Sequence, residues 1–161
     1  MANELSSELT RLLDRFDERR RGEEARALQA RTESETFLGS FADLKRTVIR
    51  PVFERAGAIL SQRGHAFTIT EQEYSSEPDG KSTEASISIR IRPPGSTRPD
   101  DELPSLCIVT RHYNRTVTIR GAGGGRPANG SGPRGDYRLT QINTELIETG
   151  LLNLVAEFAG G

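Results

Sequence analysis

Apolar and polar residues alternate most regularly between Thr83 and Arg120. From Thr83 to Arg92, Ala85, Ile87, Ile89 and Ile91 fall on one side, with Ser86, Ser88, Arg90 and Arg92 on the other. That period of two is what a half-buried strand requires. From Ser105 to Arg111, Leu106 and Ile108 alternate with Cys107 and Val109, which predicts a more central strand with apolar residues on both faces. Thr116 to Arg120 alternates again, with Val117 and Ile119 inward. The link His112-Tyr113-Asn114-Arg115 suits a hairpin loop in which Asn114 tolerates a positive φ, so these two strands are expected to pair antiparallel.

Helical spacing governs both ends of the chain. Leu5, Leu9, Leu12 and Phe16 step by 4, 3 and 4, one apolar stripe that matches coiled-coil spacing over two heptads. Such a stripe is expected to bury against another chain or against the rest of this one, and the residues are candidates for self-association. Past Phe16 the stripe gives way to Asp17-Glu18-Arg19-Arg20-Arg21-Gly22-Glu23-Glu24, a solvated run. Residues 1–31 therefore read as a charged helix and residues 32–161 as a separate domain. Thr32 and Glu35 have the form of a capping box, which predicts that a second helix starts there. Its stripe of Phe41, Leu44, Val48, Val52, Ala56 and Ile59 keeps phase across Pro51, so one kinked helix is expected, ending near Gly64.

Phe67 and Ile69 then begin a first strand that ends near Tyr74, and Glu77-Pro78-Asp79-Gly80 supplies a turn into the next. The prolines of residues 93–104 predict a surface loop. Residues 121–136 hold seven of the sixteen glycines and are expected to form a flexible loop that folding can dispense with. Tyr137, Arg138 and Leu139 are placed in a further short strand. A last helix, from about Thr140 or Asn143, shows Ile142, Leu146, Ile147, Leu151, Leu154, Val155 and Phe158 on one broad face, which must cover the sheet.

The expected fold is α+β: N-terminal helices, an antiparallel meander of four to five strands, and a C-terminal helix packed on one face. In element order alone, with no motif residue behind it, this resembles RWD-type interaction domains, some of which carry coiled coils.

Composition narrows the chemistry. Twenty-two basic and twenty-three acidic residues leave a formal charge of −1, so no global field draws the chain to nucleic acid or to anionic membrane. Only 34% of the residues are hydrophobic, and no apolar run approaches the ~20 residues of a membrane span. A single Cys107 and a start, Met1-Ala2-Asn3-Glu4, without the basic and apolar regions of a signal peptide lead to the expectation of a reducing cytoplasm. His65 and His112 lack zinc spacing with Cys107, so no metal, no cofactor and no catalytic residue is assigned. Gly123, Gly125 and Ala128 mimic part of a dinucleotide fingerprint, but Pro127 and Pro133 stand where its helix should begin, which favours a linker.

The side of the sheet away from the core collects hydroxyls together with Arg90, Arg92, Arg111 and Arg120. Their planar, bidentate donors suit carboxylate or phosphate, while the face has no aromatic residues on which RNA bases would stack. The expected function is a non-catalytic protein–protein interaction or scaffold module that forms a homo-oligomer. The alternative is a small-ligand or phosphate-binding module, with enzymatic chemistry open, that uses the arginine face and the glycine-rich loop to take an acidic protein or a phosphate.

Overall fold

The structure, a computed structural model, describes residues 2–122 and 135–159, and most of the glycine-rich loop predicted over residues 121–136 lies outside them. The chain divides into two compact units, Met1–Thr36 and Phe37–Gly161. The first helix, α1, covers Ala2–Leu44. Within the first unit its large apolar residues are its leucines and Phe16, and the exposed pairs Arg11–Glu8 (2.5 Å) and Arg20–Glu24 (3.7 Å) each support it by only tenths of a kcal/mol. No new helix starts at Thr32. Its hydroxyl donates to the Leu28 carbonyl one turn back (3.0 Å) instead of capping the amides ahead, so the capping-box reading is corrected to an unbroken helix.

Pro51 sets the geometry of the next turns. Its ring would crowd the carbonyl of Thr47 and it has no amide to donate. The chain responds just upstream with a π-helical turn, Lys45–Ile49, closed by the Arg50 amide on the Lys45 carbonyl, before α2 resumes over Arg50–Gln62. A π turn accommodates one additional residue and so shifts the phase of the buried face. The side expected to hold Val48, Ala56 and Ile59 therefore moves on by one: Ile49, Phe53 and Leu60 are buried, Val48 and Ala56 only partly, and Ile59 is 63% exposed.

The second unit is α+β. Strands β1 (Ala66–Gln72), β2 (Ser75–Ser76), β3 (Ser82–Thr83), β4 (Ser86–Arg92), β5 (Ser105–Arg111), β6 (Thr116–Ala122) and β7 (Gly135–Tyr137) form a five-stranded sheet in the order β1-β4-β5-β6-β7 and a small β2–β3 hairpin. All pairs are antiparallel. The hairpin closes through the expected turn, with the Gly80 amide on the Glu77 carbonyl (3.0 Å) and Gly80 at φ 88°. The strand predicted from Thr83 is interrupted at Glu84 and Ala85, where Glu84 turns toward the end of β5. In the β5–β6 loop the positive φ falls on Arg115 (57°), not on Asn114.

Cross-strand pairs Ile87–Ile108, Ile89–Leu106 and Ile108–Ile119 line up the apolar face, and all of these side chains are at most 2% exposed. The last helix, α3 (Thr144–Ala159), starts with the Leu146 amide bonded to the Asn143 side chain (2.8 Å). It lies against β5 and α2 lies against β1, and Ile147, Leu151 and Leu154 join Phe53, Phe41 and the sheet in one core. No helix among the described residues is long and apolar enough to cross a membrane.

Candidate functional site

The register places the four candidate arginines on the side of the sheet away from the core, but the structure uses them differently. Arg92 is held by its own loop: its guanidinium donates to the carbonyls of Ser96 (3.3 Å) and Arg98 (2.9 Å) and to Asp100 (2.5 Å). Arg111 lies 3.9 Å from Asp136 on β7, the carboxylate that also accepts from the Thr118 hydroxyl (2.6 Å) and leaves Thr118 only 6% exposed. Arg90 and Arg120 are exposed and make no hydrogen bond or ion pair with the described residues. Arg90 stands beside Thr68 and Ser105, and Arg120 beside Cys107. They are separated by β5, so their Cα atoms lie roughly 9.5 Å or more apart. Such a pair can meet two acidic groups of an extended partner more readily than one small anion. Cys107, half-buried between Ser88 and Arg120, has its thiol pushed up by burial, with Arg120 pulling it partway back.

Two clusters were not legible in the sequence. At the break between β3 and β4, the Glu84 carboxylate accepts from the His112 amide (3.0 Å) and the Thr110 hydroxyl (3.0 Å) and also meets His112 Nδ1. The Tyr74 ring lies 4.8 Å from that imidazole. A carboxylate on Nδ1 fixes the ring and leaves Nε2 for other work, the arrangement found behind many working histidines. The hydroxyl bonded to the cluster, Thr110, is itself fully buried and also bonded to the Ala85 carbonyl (2.9 Å), which makes this a lock on the strand break. His65 behaves differently: its Nδ1 is buried without a partner among the described residues, and its ring lies 6.0 Å from that of Phe158.

The second cluster surrounds Lys45 in the π turn. Its side chain is 3% exposed, with Nζ 3.6 Å from Glu71, 3.4 Å from Glu73 and 5.7 Å from the centroid of the Phe41 ring. It borders a cavity of about 320 Å³ that Leu38, Tyr74 and Ala85 also line. With two carboxylates already at the amine, this corner offers no net positive charge to an anion. Among the described residues no three His, Cys, Asp or Glu side chains come together in a way that could hold a metal ion.

Two apolar surfaces remain. Between α2 and α3 a cavity of about 390 Å³ is lined by Ala56, Ile59, Leu152 and Val155 and crossed at one side by the Arg55–Glu148 pair (3.1 Å). On α1 the predicted stripe lies open: Leu5 is 65% exposed, Leu9 48%, Leu12 52% and Phe16 51%, and Leu13 widens it at 58%. Comparison with known proteins finds no matching family, no matching curated protein and no matching solved structure.

Proposed function

We propose that the chain is a non-catalytic interaction or scaffold module that self-associates through the stripe at the start of α1. The observation that carries this reading is the exposure of Leu5, Leu9, Leu12 and Phe16 in one row of a formed helix, about half or more of each side chain lying open to water. Burying such a row against a second copy removes apolar area from water at about 25 cal/mol per Å². The reading assumes a reducing cytoplasm, supported by the single unpaired thiol of Cys107. Light scattering tests it: the full chain is expected to exceed its 17.7 kDa monomer mass, and a chain lacking residues 1–31 is expected to be monomeric. An unchanged state of association after the deletion would remove the stripe from the account.

A second reading is supported by the exposed guanidinium groups of Arg90 and Arg120, which make no hydrogen bond or ion pair with the described residues. They suit an acidic peptide that crosses the strands, with binding that weakens as salt rises. Replacing both with Gln is expected to abolish retention on an immobilised poly-glutamate peptide without changing the melting temperature. Retention by the double variant as strong as by the wild type would end this reading.

A further inference from the structure

We infer that the self-association runs antiparallel, with Leu5 of one copy opposite Phe16 of the other and Leu9 opposite Leu12. The inference rests on the self-association proposed above and adds its partner geometry. It comes from the charges beside the stripe. Glu8 immediately precedes Leu9 and Arg15 immediately precedes Phe16, so both flank the stripe on the same side, Glu8 one turn in from Leu5 and Arg15 next to the far end. When two such helices run in opposite directions, flanking positions on the same side meet each other. Glu8 of each copy then comes beside Arg15 of the other, two residues or about 3 Å apart along the axis, and symmetry makes the pair twice. Glu8 holds Arg11 within its own helix through Oε2, which leaves Oε1 as acceptor for the second copy, and both side chains of that pair are more than half exposed.

The parallel arrangement has the opposite electrostatics. Beyond Phe16 the spacing of the stripe continues through Arg19, Glu23 and Arg26. In a parallel pair in register each of these would face its own copy, three successive layers of like charge, and Arg15 would meet Arg20 of the other chain. The antiparallel register over residues 5–16 opposes only apolar residues in its four layers and leaves that charged run in water.

Charge reversal in the full-length chain tests the orientation, read by sedimentation equilibrium, with helix content followed by circular dichroism. Glu8→Arg and Arg15→Glu are each expected to weaken association about tenfold, because each turns both attractive pairs into repulsive ones. An equimolar mixture of the two variants is expected to recover wild-type affinity, since every pair in the mixed dimer is again of opposite sign. The chain carrying both reversals is expected to associate with itself as the wild type does. If the wild type associates but neither the mixture nor the double reversal recovers, the orientation is overturned while self-association stands. If the wild type is monomeric at every concentration, both are overturned.

Discussion

Gly57 lies inside α2, where alanine is ordinarily better by about 1 kcal/mol, yet a Cβ there would sit 2.4–2.6 Å from the ring carbons of Phe67 on β1. Helix and strand approach closely because that side chain is missing. Gly57→Ala is therefore expected to cost about 1–3 kcal/mol in urea unfolding, since the ring must leave its place. In a Phe67→Ala background the same change is expected to be neutral or stabilising, and equal losses in both backgrounds would contradict the close-approach account. Cys107 offers a second check. Burial raises its pKa and Arg120 lowers it, so the reactive thiolate is scarcer than in a free thiol until the pH passes the ordinary thiol range. Whatever stability the neutral thiol contributes is complete below that range and is lost as pH rises through the raised value. Modification by a disulfide reagent at mildly alkaline pH is expected to be slower than for the unfolded chain. It should slow further in Arg120→Gln; a faster reaction in that variant would show that access, not charge, governs the thiol.

The π turn and the loop after β4 each depend on one cation that the alternation of apolar residues could not reveal. Lys45 buries its whole side chain, with the amine over the Phe41 ring and within 3.4–3.6 Å of Glu71 and Glu73. Lys45→Met retains the buried volume and removes a charge costly to desolvate, so it is expected to unfold within about 1 kcal/mol of the wild type. Lys45→Ala opens a void and is expected to lose about 2–3 kcal/mol; equal behaviour of the two would place the contribution in the ion pairs. Arg92 ties down residues 93–104 through two carbonyls and Asp100. Arg92→Ala is expected to speed amide exchange of that loop while leaving the sheet protected, and Arg90→Ala to change neither. The apolar faces of β4, β5 and β6 were legible because a two-residue period depends on neighbours alone, and Ile87, Leu106 and Val117 lie where it put them. Ile59 was misplaced because a π turn has no hydrophobic signature: its one sign is a proline whose effect spreads upstream. Thr32 misled because a Thr-Glu spacing cannot distinguish a first turn from a middle one.

The polar face shows the same limit at longer range. Its four arginines were readable as residues of one side, but which of them are occupied depends on Asp100 in a loop and Asp136 on β7, partners that no local pattern identifies. Glu84 and His112 met for a similar reason, their 28 positions of separation closed only by the pairing of strands. The stripe on α1 is different, since it was plain in the sequence and remains exposed in the fold, and the proposed function depends on it. Its most direct test compares the full chain with a Leu9→Asn, Leu12→Asn variant by sedimentation equilibrium across a range of concentrations. Both substitutions are on an exposed face and leave the core of the second unit untouched. The wild type is expected to show a mass above 17.7 kDa that falls on dilution, and the variant 17.7 kDa throughout. A wild type that is monomeric at every concentration, or a variant that associates as strongly, would contradict self-association through this stripe.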